Sequence, residues 1–143
     1  MKGIVFSEFM DLVEEKFGLE TMDEIIESSN LASGGSYTAV GTYPHGEMVT
    51  LLGRLSEVTK VPAEKLLNAF GHHLFKTFHR NYPAFFTDVK HPFDLLEQID
   101  NHIHVEVKKL YPDAELPRFE TTREGESLIM IYRSERKMAD LAI

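Results

Sequence analysis

At Tyr111-Pro112 the hydrophobic period of the chain changes, and that change restricts what it can fold into. Upstream, apolar residues recur at helical spacing. "FSEFMDLVEEKFG" places Phe6, Phe9, Met10, Leu12, Val13 and Phe17 in one helix that Gly18 stops. "TMDEIIESSN" reads as a short second helix, "ASGGSYTAVGTYPHG" as a loop or short extended pieces, and "EMVTLLGRLSEVT" as a third helix. Pro62 opens "PAEKLLNAFGHHLFKTFHRN", and Pro92 opens "PFDLLEQIDNHIHVEVKKLY", each as one continuous helix. Downstream, "PRFETT" and "SLIMIYRS" are strand-like and are joined by the polar "REGE", the pattern of a hairpin. The expected fold class is α+β. An N-terminal helical part, about residues 1–111, packs on a C-terminal antiparallel β-containing part, about residues 112–143. A lone hairpin is marginal in water. Only "RKMADLAI" follows it, which reads as the first turns of a helix, so the expectation is a fragment of a longer protein.

At 143 residues the chain is expected to form a single domain with a real core. Fifteen basic against 23 acidic residues give a net charge of -8, which argues against a nucleic-acid or anionic-membrane surface. The absence of Cys excludes disulfides, zinc–thiolate sites, iron–sulfur clusters and thiol redox chemistry. No run is long and apolar enough to span a bilayer, and acids interrupt the N-terminus too early for a signal peptide. The expected location is cytoplasmic.

The strand "SLIMIYRS" raises the chemical question. Side chains alternate along a strand, so Tyr132, Ser134 and Arg136 point one way and Arg133 and Glu135 the other. Three hydrogen-bond donors then form a row about 13 Å long, which suits a polar, anionic object.

Seven histidines are present: His45, His72, His73, His79, His91, His102 and His104. None forms a metalloprotease motif. His72 and His79 share a helix face but stand two turns apart, about 10.5 Å of rise, too far for one small ion. His102 and His104 flank the stripe Leu96, Ile99, Ile103, Val107 and Leu110 on its two edges, and periodicity does not choose between them. One histidine at such an edge is more often structural, and it can also be the single axial ligand of a haem. On the preceding helix Leu67, Phe70, Gly71, Leu74 and Phe78 make a smooth apolar wall. Glycine inside a helix costs about 1 kcal/mol against alanine, so Gly71 marks the close approach of another helix or of a flat cofactor. Haem is an apolar disc with two carboxylates on one edge. Arg binds a carboxylate bidentately, and Tyr and Ser hydroxyls donate to the remaining oxygens.

Tyr132-x-Ser134-x-Arg136 resembles the haem-propionate motif of the H-NOX family, the haem nitric oxide/oxygen binding domains, whose relatives include the sensor domain of soluble guanylate cyclase. The resemblance runs along the whole chain. "MKGIVF" looks like the family's start, and "AFGHHLFKTF" is similar to its distal helix. "IHVEVKKLYP" resembles the stretch whose proximal histidine precedes Tyr-Pro by seven residues, which implies His104 rather than His102 as the metal ligand. "LPRF" is similar to the segment whose proline, here Pro117, presses on the haem and bends it. The chain departs from the family at its end, where the family continues with a long helix and further strands.

The resemblance implies one haem b held between the helical and β-containing parts, in a haem-binding sensor domain spanning residues 1–143. It implies distal positions at Val5, Phe9, Leu74 and Phe78, all without a donor. Members that hold dioxygen stably carry a Tyr five residues past the Arg, where this chain has Leu141. The implied ligands are therefore nitric oxide and carbon monoxide rather than dioxygen. Stand-alone bacterial members regulate a histidine kinase or a diguanylate cyclase, which is the implied partner. No constellation for hydrolysis or group transfer is present, so a non-enzymatic sensor is expected. Two other readings are a haem protein that binds or stores dioxygen and a cofactor-free helical interaction module.

Overall fold

A computed structural model describes residues 1–136. The chain divides into two compact units, Met1–Thr77 and Phe78–Ile143. Its class is α+β, helix-rich with one antiparallel two-stranded sheet among the described residues.

The first unit holds α1 (Gly3–Phe17), α2 (Leu19–Glu27), α3 (His45–Thr59) and most of α4 (Ala63–Asn81). The periodic apolar residues of α1 converge as expected. Phe6, Phe9, Leu12 and Val13 are buried with Ile25 of α2, Leu51 and Leu55 of α3, and Leu66 and Phe70 of α4. Full burial of such side chains contributes about 1.5–3 kcal/mol each. Gly18, at φ +87°, is the single residue between α1 and α2, a conformation that excludes most other residues. Pro62 lies just before α4 rather than inside it, and its carbonyl accepts from the amides of Lys65 and Leu66 at 2.9 and 3.2 Å.

The Gly- and Ser-rich segment between α2 and α3 is a loop, as its composition predicts, but it is firmly tied down. It caps the start of α1: Gly3 N donates to Gly41 O at 2.9 Å and Ile4 N to Ala39 O at 3.0 Å. These bonds satisfy amides that a helix start leaves without partners. A Cβ on Gly3 would stand 1.8 Å from Thr38 O, so only glycine permits this approach. The loop's far side is fixed by Glu47, 7% exposed in the first turn of α3. Its carboxylate accepts from Ser33 Oγ at 2.6 Å, Ser33 N at 3.2 Å and Tyr37 Oη at 2.7 Å. Tyr37 stacks on Phe6 at 4.4 Å between ring centroids. Burial pushes the Glu47 carboxyl up, but the bonds from Ser33 and Tyr37 outweigh it and hold the group below its ordinary value. Burial and the Glu47 charge push the Tyr37 phenol up to about 12.

A prediction arises here. A carboxyl with a depressed native pKa stabilises the fold above its unfolded value, and that contribution is lost as pH falls through the native value. Glu47→Gln should cost about 1–3 kcal/mol at pH 7 and flatten the loss of stability below the ordinary carboxyl value of 4.5. Urea unfolding at pH 7 and at pH 4 measures both, and an unchanged acid dependence in the variant would refute the assignment.

The second unit holds the end of α4, a 3-10 turn at Pro83–Phe86, α5 (Pro92–Gln98), a π-helical segment (Ile99–Ile103), α6 (His104–Leu110), and strands β1 (Arg118–Glu124) and β2 (Ser127–Arg133). The single helix expected from Pro92 to Tyr111 is therefore three pieces. Pro92 does open it, and the His91 side chain accepts from Phe93 N while Asp94 accepts from His91 N. At its centre the His104 amide bonds the carbonyl of Ile99, five residues back. One extra residue in a turn rotates everything downstream by about 100°. Leu96, Ile99, Ile103 and Val107 of the expected stripe are half-buried, while Leu110, at the end of α6, is 65% exposed.

The hairpin is tighter than "REGE" suggests. Arg123 and Glu124 belong to β1, leaving Gly125-Glu126 as the turn. Gly125 has φ +60° and Glu126 is not left-handed, the arrangement of a type II′ turn. Phe119 pairs with Tyr132, Thr121 with Met130 and Arg123 with Leu128. Phe119, Thr121, Leu128, Met130 and Tyr132 are half-buried, while Ile129 and Ile131 on the opposite face are exposed. Arg123 ties β1 to α5, donating to both Glu97 oxygens at 2.9 and 2.8 Å and to Asp94.

Candidate functional site

His102 and His104, between which periodicity does not choose, differ in place: His102 lies inside the π segment and His104 just after it. His102 is exposed, its ring edge-on to Phe85 at 5.7 Å. His104 is the first residue of α6, and its side chain is only 16% exposed. Its Nδ1 stands 3.2 Å from Asp100 Oδ1. A carboxylate can only accept, so Nδ1 carries the proton and Nε2 presents its lone pair in the neutral ring. The His104 ring lies 5.9 Å from Phe119, and Phe119 lies 5.5 Å from Tyr132. One β1 side chain thus bridges the proposed metal ligand and the first member of the Tyr-Ser-Arg motif. A cleft of about 610 Å³ borders His104, with Val105, Leu116 and Pro117 as apolar wall and Lys108, Lys109 and Arg118 as cationic neighbours. That volume is in the range of small-molecule and cofactor sites.

The Tyr132–Ser134–Arg136 row is not a continuous strand face. β2 ends at Arg133, and the backbone bends at residues 135 and 136. Tyr132 alone stays on the inner face of the hairpin, paired with Phe119. Ser134 Oγ accepts from Arg136 N at 3.1 Å, closing a local turn. Arg136 Nη2 donates to the Glu115 carbonyl at 2.7 Å and approaches the Glu115 carboxylate at 3.4 Å. The side chain is 19% exposed and is fixed by the segment that leads into Pro117. Among the described residues its guanidinium is engaged through Nη2, which leaves donors for another carboxylate. Arg133 points the other way, as alternation predicts, and pairs with Glu120 at 2.6 Å on the outer face.

The wall on α4 is redistributed. Leu66 and Phe70 face the core of the first unit, where Phe70 meets Phe9 edge-on at 5.2 Å. Phe9 is fully buried, whereas Val5 of α1 and Leu67 and Leu74 of α4 are half-buried. Phe78, half-buried in the second unit, lies 6.1 Å from Tyr82. Among the described residues a Cβ on Gly71 would meet nothing within 4 Å. Leu141 lies outside the described residues.

Some neighbours of the site escaped the sequence reading. Asp100 and Glu115 carry no motif, and Phe119 figures in it only as the end of "LPRF". Only the four-residue spacing of Asp100 to His104 signals a shared helix face. Glu8, His73 and Thr77 form a polar cluster in the first unit, where Glu8 Oε2 lies 2.9 Å from His73 Nε2 and accepts from Thr77 Oγ1 at 2.8 Å. Among the described residues no group of three or more acids and histidines could hold a bare metal ion, and no helix is long and apolar enough to cross a membrane.

The comparison with curated proteins found no match. Solved structures do match. An unliganded Fe(II) H-NOX protein from K. algicida is 48% identical with a TM-score of 0.89, and the match covers 99% of this chain and 77% of that one. An H-NOX from Shewanella woodyi in the Fe(II)CO ligation state is 45% identical with a TM-score of 0.81, over 99% of this chain and 75% of that one. An S. oneidensis H-NOX in the Fe(II)NO state shares the fold at 24% identity and a TM-score of 0.84, over 99% and 79% of the two chains. The Haem-NO-binding family model matches residues 2–143. The chain belongs to the haem-NO-binding, or H-NOX, family, a family of haem-based gas-sensor domains whose cofactor is haem iron.

Proposed function

We propose that residues 1–143 form one sensor domain that binds nitric oxide at a ferrous haem and reports it to a signalling partner. The observation that carries this reading is His104, half-shielded, with Nδ1 occupied by Asp100 and Nε2 left to ligate. The other residues fit the same group. Among the described residues after Thr77 only Ala114 is a buried apolar side chain, so Phe119, Met130 and Tyr132 keep apolar surface that suits a disc. Arg136, with Ser134 and Tyr132, supplies donors for propionates, and Pro117 supplies a rigid contact on the His104 side. When bound, the haem supplies a ferrous iron with one open position for a diatomic gas.

The chain's own part is a two-state tether. His104 would tether α6 to the haem iron, and a gas that loosened that tether would free α6. α5 is pinned to β1 through Arg123, so the displacement falls on α6 beyond the π segment. A histidine kinase or a diguanylate cyclase in the cytoplasm is the partner we propose to read that change.

Gas choice follows from missing donors. Val5, Phe9, Leu74, Phe78 and Leu141 offer none. The polar residues adjoining them in sequence, Glu8, His73 and Thr77, are occupied with one another. Nitric oxide and carbon monoxide need no donor, whereas bound dioxygen gains from one. Ferrous protein in air should stay unligated and should change its absorption on adding nitric oxide. A neutral hydrogen bond is worth about 0.5–1.5 kcal/mol, so Leu141→Tyr should raise dioxygen affinity about tenfold with little effect on nitric oxide. A stable dioxygen complex of the unsubstituted protein would overturn this assignment.

A further inference from the structure

The run from Asp94 to Glu106 carries four acids, and cations are not shared evenly among them. Asp94 and Glu97 are both taken by Arg123, and Glu106 by Lys109. Asp100 stands between these pairs and makes no ion pair with Lys or Arg among the described residues. Its one charged contact is His104 Nδ1, at 3.2 Å. The two side chains are 26% and 16% exposed, so water screens the contact only in part. The spacing is four residues, which puts both on one helix face. The π segment ends at His104, and the His104 amide is tied to Ile99, the residue before Asp100. Backbone and side chain therefore hold His104 from the same short stretch.

We propose that Asp100 is a positioning residue that sets the strength of the His104–iron bond and, through it, the ease with which nitric oxide releases α6. The inference rests on the proposed ligation by His104. A metal-bound histidine that donates its second ring N–H to a carboxylate is held in one tautomer and one orientation and becomes a stronger electron donor. An uncompensated carboxylate does this more strongly than a carbonyl or a water, because the acceptor is charged. Asp100 thereby favours the tethered state, and its removal favours the released one. Arg123 is held by the α5 acids and Lys109 by Glu106, while Lys108 and Arg118, which border the same cleft, make no ion pair with Asp100 among the described residues.

The test compares Asp100→Asn, which keeps the shape and removes the charge, with the unsubstituted protein and with Asp100→Ala. Three readouts are used: the iron–histidine stretching frequency of the ferrous protein by resonance Raman, the His104 Nδ1 proton by NMR in the diamagnetic carbon monoxide complex, and the ratio of five- to six-coordinate protein after nitric oxide. The stretching frequency should fall in Asp100→Asn and further in Asp100→Ala. The Nδ1 proton should move upfield, and the five- to six-coordinate ratio should rise about tenfold, in line with the usual effect of losing an outer-shell partner. Glu57→Gln, which removes an acid held by Arg54 on α3 of the first unit, should leave all three unchanged. If the unsubstituted protein shows an iron–histidine stretch and Asp100→Asn does not alter it, Asp100 has no such role. If His104→Gly shows the same stretch as the unsubstituted protein, the ligation by His104 fails instead, and the two failures are told apart.

Discussion

His104→Gly should abolish the five-coordinate ferrous spectrum of the reconstituted protein, while His102→Gly should retain it. The two residues stand on opposite sides of their helix, and the structure gives them different work. His102 is exposed and touches Phe85 edge-on. Losing it removes one ring contact of roughly 0.5–1.5 kcal/mol. Among the described residues His104 is the histidine that borders the Pro117 cleft, and its Nδ1 is held by Asp100. Losing it would remove the proposed ligand of the haem iron. Because glycine leaves room for the missing ring, free imidazole should restore the spectrum of His104→Gly without restoring the link to α6. A partner's response to nitric oxide should then stay absent although the gas still binds. Loss of the five-coordinate spectrum in His102→Gly, with retention in His104→Gly, would reverse the assignment.

The helices of the first unit were legible because their apolar residues keep a regular period and meet one shared core. Phe6, Phe9, Leu12 and Val13 are buried where the pattern puts them. The hairpin was legible from alternation and a Gly-containing polar link, and only its turn length was misjudged. The π segment was not legible. A turn closed over five residues differs from one closed over four by a single inserted residue, and no side chain announces it. Nor did periodicity foresee that Leu110, expected on the stripe, is exposed, or that His104 is shielded where His102 is not. The wall on α4 was half legible. Periodicity found an apolar face but could not tell Phe70, which is turned to the core, from the half-buried Leu67, Leu74 and Phe78, and it missed the buried Leu66 beside them. Arg136 was legible as a residue type and not as a geometry. Its anchor is a main-chain carbonyl at Glu115, which any residue could have supplied.

Arg136→Ala should speed loss of haem roughly ten- to hundredfold, the second largest effect expected of any single change. A hydrogen bond to a charged group contributes about 1.5–3 kcal/mol, and each 1.4 kcal/mol is about a factor of ten. The guanidinium is already fixed on the Glu115 carbonyl, so little side-chain freedom is lost when a propionate binds to its remaining donors. Arg136→Ala also frees the segment leading to Pro117, and two further variants separate the roles. Arg136→Lys keeps the charge and can still reach a carbonyl, but it cannot grip a carboxylate with two parallel bonds, so haem loss should be intermediate. Arg133→Ala removes a cation three residues away that faces outward and is paired with Glu120, and haem loss should not change. Ser134→Ala should have the smallest effect within the motif, because Ser134 Oγ is partly spent on the Arg136 amide. Tyr132→Phe should fall between, since it removes a hydroxyl and keeps the ring that packs on Phe119. Rates of haem transfer to an excess of a haem-accepting protein measure the whole series. Equal rates for Arg136→Ala and Arg133→Ala would mean that neither guanidinium holds the cofactor, because the two differ mainly in the side of the hairpin on which their charge lies.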